Sequence, residues 1–135
     1  MPEVKVFFDT NVLLYLLSED TVKADRAEDL LTGRGVISVQ VLNEFAVVCS
    51  RKIGLSWSEI KDILGPIRAV CDIELLSLES HERGIEVAER YGFSFFDAMI
   101  VASALGAGCN VLYSEDLQHD QLIGNRLRVR NPFVS

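Results

Sequence analysis

Apolar residues run almost unbroken from Val4 to Phe8, stop at Asp9, and resume from Val12 to Leu17. A strand apolar on both faces suits the centre of a parallel sheet covered by helices on either side. The opening block therefore predicts a buried strand, a polar turn at Asp9-Thr10-Asn11, and the start of an apolar helix. Ser18-Glu19-Asp20 breaks the pattern. Asp20 or Thr21 then caps a helix carrying Val22, Ala24, Ala27, Leu30 and Leu31. Thr32-Gly33-Arg34-Gly35 stops it before a short strand at Val36-Ile37. Ser38 caps a third helix, where Val41, Leu42, Phe45, Val48 and Cys49 recur at three- and four-residue steps with Glu44 beside that stripe.

Gly54 is placed to end this helix, and Ser56-Trp57-Ser58-Glu59 has the spacing of a capping box. The helix it opens carries Ile60, Ile63, Leu64, Ile67 and Val70, and is expected to kink or divide at Gly65-Pro66. Ile73 to Leu78 reads as a strand, and Ser80 as the start of a helix reaching Tyr91-Gly92. Phe93 to Leu105 is apolar nearly all round, so it predicts a helix buried on the sheet, with Asp97 its one charge. Asn110 to Tyr113 is a further strand. Arg126-Leu127-Arg128-Val129-Arg130 alternates, which predicts an edge strand with one buried face, ended by Pro132. Strands alternating with helices make an α/β domain with a parallel sheet flanked by helices on both faces.

At 135 residues the chain is expected to form one domain spanning 1–135. No apolar run is long enough to span a membrane. The N-terminus has no basic stretch followed by a long apolar one, so no membrane association is expected and a cytoplasmic location is the default. Cys49, Cys71 and Cys109 are odd in number, far apart and in apolar surroundings, which favours reduced core thiols over disulfides or a zinc site. The net charge of −7 argues against general electrostatic binding of nucleic acid. It allows a partner with a basic contact segment, and it allows a local group of carboxylates neutralised by metal ions.

Four acids bear on that last point. Asp9 and Asp116 follow strands, Asp97 opens the buried helix, and Glu44 lies within a helix. Each has an ordinary explanation: Asp9, Thr10 or Asn11 as a helix cap, Asp97 as part of a capping box with Ser94, Glu44 as a helix-surface residue, Asp116 as a turn residue. Taken together the ordinary explanations weaken. Acids after the strand ends of a parallel sheet face one crevice, and three or four of them there would repel unless a cation joined them. Oxygen donors without histidine or cysteine select Mg²⁺ or Mn²⁺. Such a site suits phosphoryl chemistry, so the residues point to metal-assisted phosphoester hydrolysis.

The segments Phe8-Asp9-Thr10-Asn11-Val12-Leu13, Ser38 to Phe45, Phe96 to Ala104, and Leu112-Tyr113-Ser114-Glu115-Asp116-Leu117 resemble, in order, the four motifs of the PIN-domain family. The chain is similar in particular to the VapC-type toxin ribonucleases of toxin–antitoxin pairs. The resemblance implies a single PIN-like domain with about five parallel strands and an Mg²⁺- or Mn²⁺-dependent endoribonuclease site acting on RNA. It also implies one or two ions held by Asp9, Glu44, Asp97 and Asp116, with Asp9 and Asp97 nearest. Thr10 or Asn11 would position water or a ligand, and Ser114 matches the small hydroxyl residue before the last acid. Asp120 stands where similar sequences often have glycine, so Glu115 and Asp120 compete with Asp116 for the fourth place. His119 reads as an exposed turn histidine.

The expected partners are RNA, an antitoxin with a basic segment and a second copy of the chain. Arg126, Arg128 and Arg130 either protect an edge strand by charge or contact RNA phosphates. A haloacid-dehalogenase-like phosphatase would want an acid at Asn11, and a receiver domain would want adjacent acids after the first strand. Neither pattern is present. A catalytically silent PIN-like module that only binds a partner is the remaining alternative.

Overall fold

A computed structural model describes residues 4–134 of the chain. The opening apolar run forms β1 (Val6–Phe8), whose Phe7 and Phe8 are fully buried. Asp9 caps α1 (Thr10–Leu14), which tightens into a 3₁₀ turn at Tyr15–Leu17. Asp20, not Thr21, caps α2 (Thr21–Thr32), accepting from the N–H groups of Val22 and Lys23. β2 (Gly35–Ser38) and α3 (Val39–Val48) follow, and α3 continues into a π turn at Cys49–Ile53 that Gly54 ends at φ 79°. The sharp left-handed turn there is one that glycine adopts without strain.

α4 (Trp57–Val70) has the expected capping box between Ser56 and Glu59, and runs on through Pro66 as one helix instead of dividing there. β3 is shorter and earlier than its apolar run suggested, at Cys71–Glu74. Ser77 then caps α5 (Leu78–Tyr91), with Ser80 as its capping-box partner instead of the helix start. Ser94 caps α6 (Phe95–Gly106), where every residue from Ala98 to Ala104 is buried. β4 (Val111–Tyr113), the two-residue β5 (Leu122–Ile123) and β6 (Leu127–Arg130) close the chain.

The six strands lie in the order β3-β2-β1-β4-β6-β5, the first five parallel and β5 antiparallel to β6. From β1 the chain steps outward to β2 and β3, then returns across the sheet to β4 on β1's other side. Right-handed crossovers in opposite directions place α1–α4 on one face and α5–α6 on the other. Leu127 and Val129 are fully buried, as the alternation required, but β6 is not an edge, because β5 pairs with it. Two residues are too few for a periodic signal, which is why the sequence pattern misses β5. α5 and α6 approach closely at Gly84, where an added Cβ would stand 2.3 Å from Met99 Sδ.

Candidate active site

Strand order reverses between β1 and β4, and ligands of open α/β sheets gather at the carboxyl ends of the strands at such a reversal. Phe8 pairs with Tyr113, and the Asp9 N–H donates to the Tyr113 carbonyl at 2.9 Å. The next residues on each side, Asp9 and Ser114, therefore leave the sheet together. Both are buried. Ser114 Oγ donates to Asp9 Oδ2 at 2.7 Å, and Asp9 Oδ1 accepts from the Thr10 N–H at 2.7 Å. Asp9 is thus both the helix cap and the acid at the sheet reversal; one role does not displace the other.

Burial pushes the Asp9 carboxyl up to about 6. The Ser114 and Thr10 hydrogen bonds oppose the push, and the charges of Asp116 and Glu44 add to it. Glu44 is half-buried on α3, its Oε2 accepting from Thr10 Oγ1 at 2.7 Å and its Oε1 from Gln40 Nε2 at 2.9 Å. Asn11 Nδ2 donates to Asp116 Oδ2 at 3.1 Å, and the Asp116 N–H donates to Ser114 Oγ at 3.2 Å. Three of the four expected acids are therefore linked: Thr10 joins Asp9 to Glu44 through its N–H and its hydroxyl, and Ser114 joins Asp9 to the Asp116 backbone.

Asp97 stands apart from this network. It occupies the first turn of α6, half-buried, with its N–H on Ser94 Oγ at 3.3 Å. Its carboxylate makes no hydrogen bond among the described residues. The same turn does reach the site through its backbone, since the Phe96 carbonyl accepts from Gln40 Nε2 at 3.0 Å.

The competitors for the fourth place separate cleanly. Glu115 turns away: both its carboxylate oxygens accept from Tyr15 OH at 2.8 Å, with Lys23 Nζ at 4.0 Å. That hydrogen bond holds the Tyr15 hydroxyl above its ordinary range. Asp120 pairs with Arg130, and its carbonyl accepts from Arg128 Nη1 at 2.8 Å. Of Glu115, Asp116 and Asp120, Asp116 alone reaches the Asp9 network, through its N–H on Ser114 and the charge its carboxylate adds at Asp9. His119 is exposed, its Nδ1 accepting from the Asn131 N–H at 2.9 Å.

Two participants escape sequence reasoning. Gln40 is a buried polar residue within the apolar stripe of α3, one helical turn before Glu44; that spacing was its only signal. Tyr15 fixes Glu115, whose N–H donates to Asn11 Oδ1 at 3.2 Å, so the amide of Asn11 is left facing Asp116. A groove of about 620 Å³ opens beside the acids. Thr10, Asn11, Glu44 and Asp116 line one part of it, and Leu14, Val47 and Phe96 the apolar remainder.

The donors fit a hard divalent cation in kind, since they are oxygens gathered round a buried carboxylate that two other carboxylates repel. They are not a closed chelate: among the described residues no three His, Cys, Asp or Glu side chains are grouped to hold an ion. Hydroxyl and amide groups of Thr10, Asn11, Ser114 and Gln40 each donate to one of the carboxylates, which spreads partial positive charge round the cluster.

A PIN domain family model matches residues 6–124, which takes in every strand pairing and acid just described except β6. The chain belongs to the PIN-domain family. Among solved structures, this PIN domain is similar to the VapC20 toxin of Mycobacterium tuberculosis, described as cleaving the sarcin–ricin loop. Identity is 22% and TM-score 0.67, over 83% of this chain and 90% of that one. A toxin–antitoxin complex from Klebsiella pneumoniae matches at 20% identity and TM-score 0.72, covering 96% of this chain and 98% of its own. VapBC2 from Rickettsia felis, bound to a promoter DNA fragment, matches at 19% identity and TM-score 0.65, over 93% and 98%. No curated protein matches the chain. No helix among the described residues is long and apolar enough to cross a membrane.

Proposed function

We propose that this PIN domain is a metal-dependent endoribonuclease and the toxin half of a VapBC-type toxin–antitoxin pair, working in the cytoplasm where its RNA lies. The observation that carries the reading is Asp9, buried at the sheet reversal and joined through Ser114 and Thr10 to the Asp116 and Glu44 side of the crevice. An acid so buried and so surrounded by like charge is costly unless it has work to do. The family model and the fold shared with VapC toxins support the same reading.

Asp9 and Asp97, with Glu44 and Asp116 directly or through water, would hold Mg²⁺ or Mn²⁺. When bound, the ion supplies positive charge to phosphate oxygens and lowers the pKa of a bound water. The chain's own residues do the positioning. Thr10 and Ser114 fix both oxygens of Asp9, Gln40 and Thr10 fix Glu44, and Asn11 aims Asp116. Preorganised acids of this kind orient the reacting groups without rearrangement at the moment of reaction. The half-apolar groove that ends at the acids fits an antitoxin segment with apolar side chains and a terminal Lys or Arg. Leu75, Leu78, Phe95 and Phe96 are exposed and give a second copy of the chain an apolar surface to cover.

Structured RNA incubated with the protein in Mg²⁺ or Mn²⁺ should be cut, and chelator or Asp9→Asn should stop the cutting while circular dichroism shows the variant folded. Cleavage that persists in chelator, or in Asp9→Asn, overturns the mechanism. Absence of cleavage with a partner still bound at the groove would favour the silent binding module.

A further inference from the structure

The three arginines of the last strand separate in the structure. Arg128 and Arg130 are both engaged by Asp120, near the acid end of the sheet, where the Arg130 carbonyl accepts from the Ser114 N–H at 3.0 Å. Arg126 precedes β6 and so lies at the other end. There it joins Arg83 and Arg90 of α5 around a groove of about 600 Å³, floored in part by Gly106 and Gly124, with Glu86 as its one acid. Three guanidiniums against Glu86 and the Glu79 carboxylate that pairs with Arg83 leave the groove net positive in a chain whose net charge is −7.

These cations are held in place. Arg126 Nη2 donates to the Leu105 carbonyl, Arg83 Nη2 to Glu79 Oε1 at 3.2 Å, and Arg90 lies 5.5 Å from the centre of the Tyr91 ring. Tyr91 is itself fixed, its hydroxyl accepting from the Gly124 N–H at 3.0 Å. A guanidinium has five donors, so each arginine keeps most of them for a ligand. Planar guanidinium forks match phosphate oxygens, and the rim carries no lysine.

We propose that this groove binds backbone phosphates of the RNA strand outside the cleavage site, acting as a dock at the opposite end of the sheet from the acids. The proposal rests on the ribonuclease reading, because it answers a problem that reading creates. An acidic protein with an acidic site repels RNA, and its affinity must come from a local basic surface. β6 runs from this groove to Ser114, so one strand of RNA following it would connect dock and site. The ordinary role of arginines near the C-terminal ends of α5 and α6 is to offset the helix dipole and cap carbonyls. That role affects folding stability and leaves RNA affinity alone, so the two separate by experiment.

Binding of a labelled single-stranded RNA is measured in chelator, where nothing is cut, across a salt series. Arg83→Gln/Arg90→Gln/Arg126→Gln should lower the slope of log K against log salt by about 2, from about 0.7 for each phosphate contact on a single strand. That slope change corresponds to an affinity loss of roughly 100-fold at 0.1 M salt relative to 1 M. Arg90→Gln alone, which breaks no hydrogen bond among the described residues, keeps the test open if the triple variant fails to fold; it should lower the slope by about 0.7. An unchanged slope in both groove variants overturns the dock. So does adenosine monophosphate or a poly-glutamate peptide binding with the same arginine dependence while RNA binding stays intact, since the groove would then serve a free nucleotide or an acidic protein. If the groove variants lose RNA binding but the parent with Mg²⁺ cuts nothing, the dock stands and the ribonuclease reading falls. If the parent cuts and the groove variants bind RNA as it does, the reverse holds.

Discussion

Replacing Asp9 by asparagine should stabilise the metal-free protein at neutral pH, although it removes a helix-capping charge. The carboxyl is raised from 3.8 to about 6, chiefly by burial. At about 1.4 kcal/mol per pH unit, its ionisation in the folded state costs about 3 kcal/mol relative to the unfolded chain. The opposing effects are smaller. Asparagine caps as well as aspartate does, its oxygen can still accept from the Thr10 N–H, and its amide can donate to Ser114 Oγ if that hydroxyl turns. What is lost is the charge at the N-terminus of α1, worth about 0.3–1 kcal/mol. The net gain is then about 2 kcal/mol, or roughly 6–10 °C in Tm for a domain of this size.

The direction with pH is fixed by the raised value. The folded parent keeps the proton that the unfolded chain gives up near pH 4, so its stability falls as pH rises from about 4 to about 6 and is level above that. Asp9→Asn lacks that fall, and the gap between the two proteins should open across this window. Millimolar Mg²⁺ or Mn²⁺ should reverse the order. An ion at 100 times its Kd stabilises the parent by about 2.7 kcal/mol and leaves the variant nearly unaffected. Urea denaturation of both proteins from pH 4.5 to 8, with chelator and with metal, measures every part of this. A variant less stable than the parent at pH 8 in chelator, or a gap that does not change with pH, would show that Asp9 is an ordinary cap.

Tyr15→Phe should cost about 0.5–1.5 kcal/mol through the lost bonds to Glu115, and the phenolate titration of the protein should lose its late component; an unchanged titration means that Tyr15 does not hold Glu115. Gly84→Ala sets a helix-propensity gain of about 1 kcal/mol against a Cβ only 2.3 Å from Met99 Sδ and 3.7 Å from Met99 Cα. Met99 is buried, so turning its thioether aside should cost about 1–3 kcal/mol and overpacking should prevail; a thermal melt showing the variant more stable would mean that Met99 repacks freely beside α5.

How far the site was legible follows from what each residue depends on. Asp9 announces itself because it ends an apolar run, and the acidic turn Ser114-Glu115-Asp116 follows another; strand ends of a parallel sheet share a crevice whatever the side chains do later. Ser114 needed only its place beside Asp116, and its bond to Asp9 follows from β1 pairing with β4. Gln40 depends on which face of α3 turns inward and on where the first turn of α6 comes to rest, and no local pattern holds that information. The choice among Glu115, Asp116 and Asp120 is less legible still. Three acids within six residues are equivalent by composition and differ only in their distant partners: Tyr15 for Glu115, Asn11 for Asp116 and Arg130 for Asp120.

The arginines of β6 show the same limit from the other side. Period-two alternation placed Leu127 and Val129 in the core correctly, because burial is what alternation measures. It gave no information about neighbours. β5 covers the edge that the arginines were expected to guard, and Asp120 occupies Arg128 and Arg130. Edge protection therefore cannot be the reason for three arginines at these positions. Two of them hold the loop that leads out of the acid turn, on the strand whose last carbonyl anchors Ser114. The third lies at the far end of that same strand, among the arginines of α5. A single strand thus joins the buried carboxylate end of the sheet to its basic end, and a polyanion is the class of ligand for which having both on one strand makes physical sense.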